Sequence, residues 1–480
     1  MKNNKIIIVL LTALTWHKIL WQTFMGEGYY YFNHTFFYDP QGGFTIIQGL
    51  LRYDTAARLM FDFLPLFFKD RVWLYFLFLF LVVILVNWLF YRFIWQLTKN
   101  RLISILSIIF FVANYSASYE MLARGDYQFF AQRIILFPLL FLSFIWLTKK
   151  HLWLSVSLYT VALILGQFSL YFLAVFPLYI FFQWLQSKQH SFLQLLQTLP
   201  YLVITALMFL IDNQTYNQNF EMVWNPESIV SNVVYQFPWA MIPYPLLIKI
   251  TKQPWVRADL VKLAWPLAGF TLLAIIYFFK RQLKYRYTLL IMVLFLITSL
   301  GLNAYIRPTQ VFRIHGEGSR YLYVPAMAAA GFWAILFESV FEKRWLAKTL
   351  VVLIAGWWLW SNTSLIWSKM AENQPQHETA KQILAYFKIH APEFDNKLVV
   401  VPNLIGYHGG DFSQKFYNPS TTFLPMAAEW EKKITYTFPP EKLLVFTYDA
   451  ATKTLIESGA PFRQMILDEQ TITEEVKQSF

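Results

Sequence analysis

Cysteine is absent from this chain of 480 residues. That absence excludes structural disulfides, thiolate nucleophiles, Cys-ligated zinc and iron–sulfur clusters together, and it leaves the redox compartment unmarked. Charge is scarce as well: Asp, Glu, Lys and Arg make up 14% of the residues, where a soluble domain carries about a quarter. An ordinary soluble enzyme is thereby excluded. Several chemical signatures are missing too. There is no Walker-type phosphate loop, so ATP coupling within the chain is not expected, and no Asp-x-Asp pair, which weakens a metal-held nucleotide sugar. HExxH and GxSxG are lacking, and with them the familiar zinc proteases and serine hydrolases. No internal repeat or low-complexity linker is present.

What is there is apolar. Hydrophobic residues make up 57% of the chain and aromatics 20%, so most of it is built for a lipid solvent. Stretches long enough to cross a hydrocarbon core of about 30 Å fall at 6–24, 72–97, 102–118, 129–148, 152–166, 168–186, 193–211, 261–279, 286–303, 320–338 and 346–366, which makes about eleven spans. The first follows Lys2 and Lys5, but bulky Trp21, Gln22, Thr23, Phe24 and Met25 stand where a signal peptide needs small residues, so it is read as a span. Residues 152–185 are too long for one comfortable span and are read as two, hinged near Gly166 and Gln167.

The formal net charge is +12 and is unevenly placed. Residues 1–370 hold 30 Lys/Arg against 14 Asp/Glu, and residues 371–480 hold 10 against 14. In a membrane body such an excess marks cytoplasmic loops, and no nucleic-acid partner is expected. With a cytoplasmic N-terminus, one side receives Lys99, Arg101, Lys149, Lys150, Lys188, Lys280, Arg281, Lys284, Arg286, Lys343, Arg344 and Lys348, with Glu338 and Glu342 its only acids. An odd span count then puts 371–480 on the other, non-cytoplasmic side.

The expected architecture is therefore mainly α: a polytopic membrane domain over 1–370 and a small non-cytoplasmic α/β domain over 371–480. The first external loop, 25–71, carries apolar residues at roughly helical spacing between charges, which suits helices lying in the membrane interface. Residues 212–260, with Trp224, Trp239, Tyr244 and Trp255 among five prolines, read as re-entrant or interfacial. In the tail, 377–390 reads as an amphipathic helix, and 397–402 and 442–448 as strands.

Three clusters carry candidate chemistry. In Gly26-Glu27-Gly28-Tyr29, just after the first span, a carboxylate between glycines and aromatics reads as a general base or as a solvated loop acid; Asp39 and Asp54 are weaker candidates, one in an Asp-Pro turn and one placed to pair with Arg58. The second cluster is Arg124-Gly-Asp126 followed by Arg133. An unpaired guanidinium a turn into hydrocarbon costs about 2.5 kcal/mol or more, so Arg133 pairs with an acid such as Asp126 or binds an anion. The third runs Arg313-Ile-His315-Gly-Glu317-Gly-Ser-Arg320-Tyr321-Leu-Tyr323-Val-Pro325. Its arginines and tyrosines suit a lipid-linked phosphate or pyrophosphate, or simply flank a helix end.

Taken together, the acid after the first span, the large first external loop, the span count, the Arg-Tyr-Leu-Tyr-x-Pro segment and the outward tail resemble the GT-C superfamily of membrane glycosyltransferases. The resemblance covers residues 1–370 in layout, and Ser319–Pro325 is similar to a stretch of the tetratricopeptide-bearing O-mannosyltransferases. Where the O-mannosyl and aminoarabinose branches open the first loop with Asp-Glu, this chain has Gly26-Glu27. The resemblance implies a bacterial plasma-membrane enzyme with a polyprenyl-phosphate sugar as donor and a glycan, lipid or protein as acceptor. Glu27, or Asp39 or Asp54 in its place, would be the base, and Arg320, Arg313 or Arg133 would lie near the lipid phosphate. A divalent metal serves some branches, and no ligand cluster here compels one. The rival readings are a lipid-linked glycan polymerase or ligase, which differs in acceptor, and a transporter or flippase.

Overall fold

A computed structural model describes residues 2–23, 55–118, 122, 130, 134–187, 191–216, 226–251, 257–281, 284–306, 319–341 and 345–402, with short stretches between 416 and 472. The protein is mainly α. Its principal helices are α1 (Lys2–Trp16), α2 (Thr55–Phe68), α3 (Val72–Thr98), α4 (Arg101–Val112), α5 (Phe137–Thr148), α6 (Leu152–Leu165), α7 (Val175–Gln186), α8 (Leu199–Tyr216), α9 (Pro226–Met241), α10 (Tyr244–Thr251), α11 (Arg257–Arg281), α12 (Arg286–Ile306), α13 (Tyr323–Phe341) and α14 (Trp345–His390). Among the described residues five helical stretches are long and apolar enough to cross a membrane: Val72–Thr98, Ser169–Gln186, Asp259–Arg281, Arg286–Ala304 and Trp345–Phe394. Shorter apolar helices fill the space between them.

In lipid, helices gain little from hiding apolar surface from one another, so packing and interhelical hydrogen bonds hold the bundle. Aromatic rings form its centre: Phe93 meets Phe144 at 4.7 Å and Phe141 at 5.4 Å, and Phe172 meets Phe295 at 5.0 Å. Hydroxyls tie α5, α6 and α8 together. Ser143 and Ser155 each donate to the other's carbonyl, at 2.8 and 2.7 Å, and Ser155 Oγ lies 2.6 Å from the Tyr201 hydroxyl. At Gly331 of α13 an added Cβ would lie 2.5 Å from Met292 Sδ and 3.3 Å from Ile94 Cδ1, so α3 and α12 approach α13 as closely as a missing side chain allows.

Helix breaks follow local chemistry. Residues 152–186 divide where expected: α6 ends at Gly166, and the Ala162 carbonyl accepts from both Gly166 N at 3.2 Å and Ser169 Oγ at 2.6 Å. The expected span over 102–118 does not run through. The Asn114 side chain accepts from Ala117 N at 3.0 Å, ending α4 at Val112 and starting a separate turn, Tyr115–Ser118. Between α9 and α10, Ile242 and Pro243 are buried inside the bundle, and Trp333 Nε1 donates to the Met241 carbonyl at 2.8 Å. Trp239 and Tyr244, expected in interfacial or re-entrant structure, are both buried.

Beyond the bundle, the last expected span and the expected tail helix are one. α14 runs 46 residues, about 70 Å at 1.5 Å per residue, straight across position 371. Pro375 lies on its exposed face, while Ile366, Met370, His377, Ala380, Leu384 and Phe387 continue one buried stripe past it. The end of α14 carries a small set of strands, β1 (Leu398–Pro402), β2 (Thr422–Met426), β3 (Ile434–Thr435), β4 (Leu443–Asp449), β5 (Thr454–Glu457) and β6 (Thr471–Ile472). The larger group has the order β2-β1-β4-β5, with β1 parallel to both β2 and β4, and β4 antiparallel to β5. Phe446 packs on Tyr386 and Phe394, joining strands to helix.

Candidate functional site

The bundle has two chemically different ends. At one, the Asn100 side chain accepts from Leu102 N at 2.8 Å to cap α4 and donates to Tyr285 Oη at 2.8 Å and to buried Glu338. The turns at 99–101 and 284–285 and the end of α13 therefore meet. α5 lies alongside α3 in the same direction, with Phe90 beside Phe141 and Phe93 beside Phe144, which brings Lys149 and Lys150 toward the same end. Phe182 of α7 stacks on Tyr287 at 5.0 Å and brings the end of α7 there too. The described members of the lysine and arginine clusters thus share one end, as the charge pattern of the loops requires.

The opposite end holds described residues that flank the segments with candidate chemistry. α1 runs antiparallel to α3, with Asn4 donating to Tyr91 Oη at 2.6 Å and Asn87 to Thr12 Oγ1 at 3.1 Å, so Thr23 emerges away from the basic end. Trp16 Nε1 donates to the Val112 carbonyl at 2.8 Å and sets the end of α4 beside the end of α1. The Tyr115–Ser118 turn packs against the 3₁₀ turn Ser319–Leu322 that opens α13. Thr23, Ser118, Ile134, the end of α12 and Ser319, which flank segments 24–54, 119–133 and 307–318, therefore lie at this end.

Glu27, Asp39, Asp54, Arg124, Asp126, Arg133, Arg313, His315 and Glu317 lie outside the described residues. The Arg320 backbone sits in the 3₁₀ turn, and its side chain is outside the described set. Tyr321 and Tyr323 are described, and both are buried. The Tyr323 ring stacks on Phe137 at 5.4 Å and meets Phe111 edge-on at 5.0 Å, so it packs in the core. The Tyr321 carbonyl accepts from Asn303 Nδ2 at 2.6 Å, and Asn303 Oδ1 accepts from the Tyr171 hydroxyl at 2.5 Å. Asn303 Nδ2 is also 3.4 Å from Gln236 Oε1. This buried amide network fixes the backbone that presents Arg320. Its signal in the sequence is amides in apolar runs, where an unpaired amide is costly, but no local pattern names their partners.

A second clasp holds the chain leading to Glu27. His377 Nδ1 lies 3.2 Å from Thr23 N and 3.1 Å from Thr23 O, so either tautomer makes one hydrogen bond there. Its Nε2 is buried without a partner. Burial pushes its pKa down from 6.5 to about 4, against the raising effect of the Thr23 bond, with Lys381 adding to the depression and Glu378 opposing it. Lys381 Nζ donates to the Trp21 carbonyl at 2.6 Å, and Lys388 Nζ pairs with Asp70 Oδ2 at 2.5 Å. The C-terminal half of α14 thus holds residues on both sides of segment 24–54. Sequence reading missed this because His377 and Lys381 look like ordinary positions on a polar helix.

Among the described residues no group of three or more His, Asp or Glu side chains is placed to hold a metal ion. No protein-family model matches the chain, and comparison with curated proteins finds no match.

Proposed function

We propose that the chain is a polytopic membrane glycosyltransferase that moves a sugar from a polyprenyl-phosphate donor to an acceptor hydroxyl at the end of the bundle opposite the basic one. The observation that supports this reading most is that described residues flanking three segments lie toward that end: Thr23 before the segment with Glu27, Asp39 and Asp54, Ser118 and Ile134 around the one with Arg124, Asp126 and Arg133, and Ser319 after the one with Arg313, His315 and Glu317. In this reading an acid and several guanidiniums from those segments meet there, which would suit transfer from a lipid phosphate. Glu27 takes the acceptor proton as the acceptor oxygen attacks the anomeric carbon, and the lipid phosphate leaves toward Arg320 and its neighbours. Activation is stored in the donor, so no ATP site is needed. With basic loops cytoplasmic, about eleven spans put the site and the strands after α14 on the outer side. In α2 the exposed Phe63, Leu66 and Phe67 suit a helix lying at that interface.

The test uses purified protein in detergent, where transport has no meaning. Wild type is expected to release polyprenyl phosphate from a lipid-linked sugar in the presence of acceptor, Glu27→Gln to release at least about 100-fold less, and Arg320→Lys to retain more than Arg320→Ala. Absence of release from any donor and acceptor pair, with vesicles still moving the lipid across the bilayer, would replace the transferase with a transporter.

A further inference from the structure

One face of α3 leads from apolar residues into cations. At helical spacing it presents Leu81, Leu85, Trp88, Arg92, Trp95 and Lys99. Leu81 and Leu85 are 55% and 40% exposed, the two Trp residues and Arg92 are half-buried, and Lys99 is exposed. Arg92 stands six residues before the helix end at Thr98, about 9 Å inside it. Its guanidinium lies 5.5 Å from the Trp95 ring centre, and its Nε is shielded from solvent with no hydrogen-bond partner. Lys99 turns back over the same ring: its φ of 53° ends the helix, its Nζ is 5.1 Å from the Trp95 centre, and it donates to Gln96 Oε1. From α1, Lys5 places its ammonium 5.4 Å from the Trp88 ring.

No carboxylate among the described residues pairs with any of these three cations. The acid described at this end, Glu338, is engaged by Asn100 and Tyr285. Desolvation and then the charge of Arg92 lower the Lys99 pKa. A phosphate oxygen between Arg92 and Lys99 would offset that repulsion and give the Arg92 Nε the acceptor it lacks. A free ion has no use for the rest of the face. From Arg92 back to Leu81 the helix offers about 16 Å of apolar surface, which matches an acyl chain lying along the span.

We propose that the Leu81–Leu85–Trp88–Arg92–Trp95–Lys99 face of α3, with Lys5 of α1, binds an anionic phospholipid whose phosphate sits between Arg92 and Lys99 in the leaflet at the basic end. This site is at the opposite end of the bundle from the proposed transfer site and does not depend on that reading.

The experiment measures lipids retained by the delipidated, full-length protein in neutral detergent, by native mass spectrometry, together with its thermal shift. Phosphatidylglycerol, phosphatidylcholine and inorganic phosphate are added in separate arms. Wild type is expected to retain one more phosphatidylglycerol than the Arg92→Gln/Lys99→Gln variant, with affinity about tenfold above that variant. Phosphatidylcholine is expected to bind more weakly and inorganic phosphate to give no shift. Arg92→Lys, which keeps the charge, and Lys5→Gln, at an exposed position, are expected to fall between the two extremes and keep the result readable if the double variant folds poorly. Equal phosphatidylglycerol retention by wild type and by every variant that elutes as a monodisperse peak would overturn the proposal. So would a shift by inorganic phosphate as large as that by the lipid, or equal binding of the zwitterionic lipid.

Discussion

The amide of Asn100 serves α4, Tyr285 and Glu338 together, so its loss removes a helix cap and strips a buried carboxylate of a donor. Asn100→Ala is expected to lower stability by about 2 kcal/mol, read as a fall in melting temperature in detergent, while Asn100→Asp, which keeps the cap and sets a carboxylate against Glu338, is expected to be no better. At the other end, His377 carries a sign. Its folded pKa of about 4 lies below the ordinary 6.5, so between those values the unclasped chain binds more protons than the clasped one. The clasp on Thr23 is fully present above pH 6.5 and weakens as pH falls toward 4. The protection factor at Trp21–Thr23, with the intrinsic exchange rate divided out, is expected to fall as pH drops across that window, and His377→Phe is expected to flatten that fall. A protection factor that is level across the window in wild type would refute the neutral clasp.

Helices in this protein are positioned by what they omit as much as by what they carry. Gly331 leaves room for Met292 and Ile94, and overfilling a packed site costs about 1–3 kcal/mol. Gly331→Leu is accordingly expected to lower the melting temperature, and Gly331→Leu with Met292→Ala to recover part of the loss. The elements that could be read from sequence are those whose pattern is local: α3 and α12 as apolar runs, β1 and β4 as short β-branched or aliphatic runs, and the break at Gly166. The others depend on distant partners. α14 looked like two helices because polarity changes near 370 and Pro375 interrupts the pattern, yet the buried stripe is continuous because the end of α1 and the strands cover it. α4 looked longer than it is because the competing hydrogen bond comes from the small Asn114 side chain inside an otherwise apolar run. The candidate site is a sequence reading of three acid- or arginine-bearing segments, whose acidic and arginine side chains lie outside the described ones. Its support, Asn303, Gln236, Tyr171 and His377, was not legible, since each works through a residue far away in sequence.

At the scale of the molecule, the two ends of the bundle differ in kind. One gathers the basic turns and the proposed phospholipid face. The other holds described residues that flank the three segments with candidate chemistry, and there α14 holds Trp21, Thr23 and Asp70. A chain with no cysteine allows this division to be read directly by single Cys substitutions and a membrane-impermeant maleimide. In intact spheroplasts Glu27→Cys, Asp126→Cys and Glu317→Cys are expected to label from outside, with labelling reduced by added polyprenyl-phosphate donor, while Lys99→Cys, Lys149→Cys and Lys284→Cys are expected to label only after permeabilisation. Labelling of the three acid positions on different sides, or of Lys99→Cys and Glu27→Cys on the same side, would contradict the account.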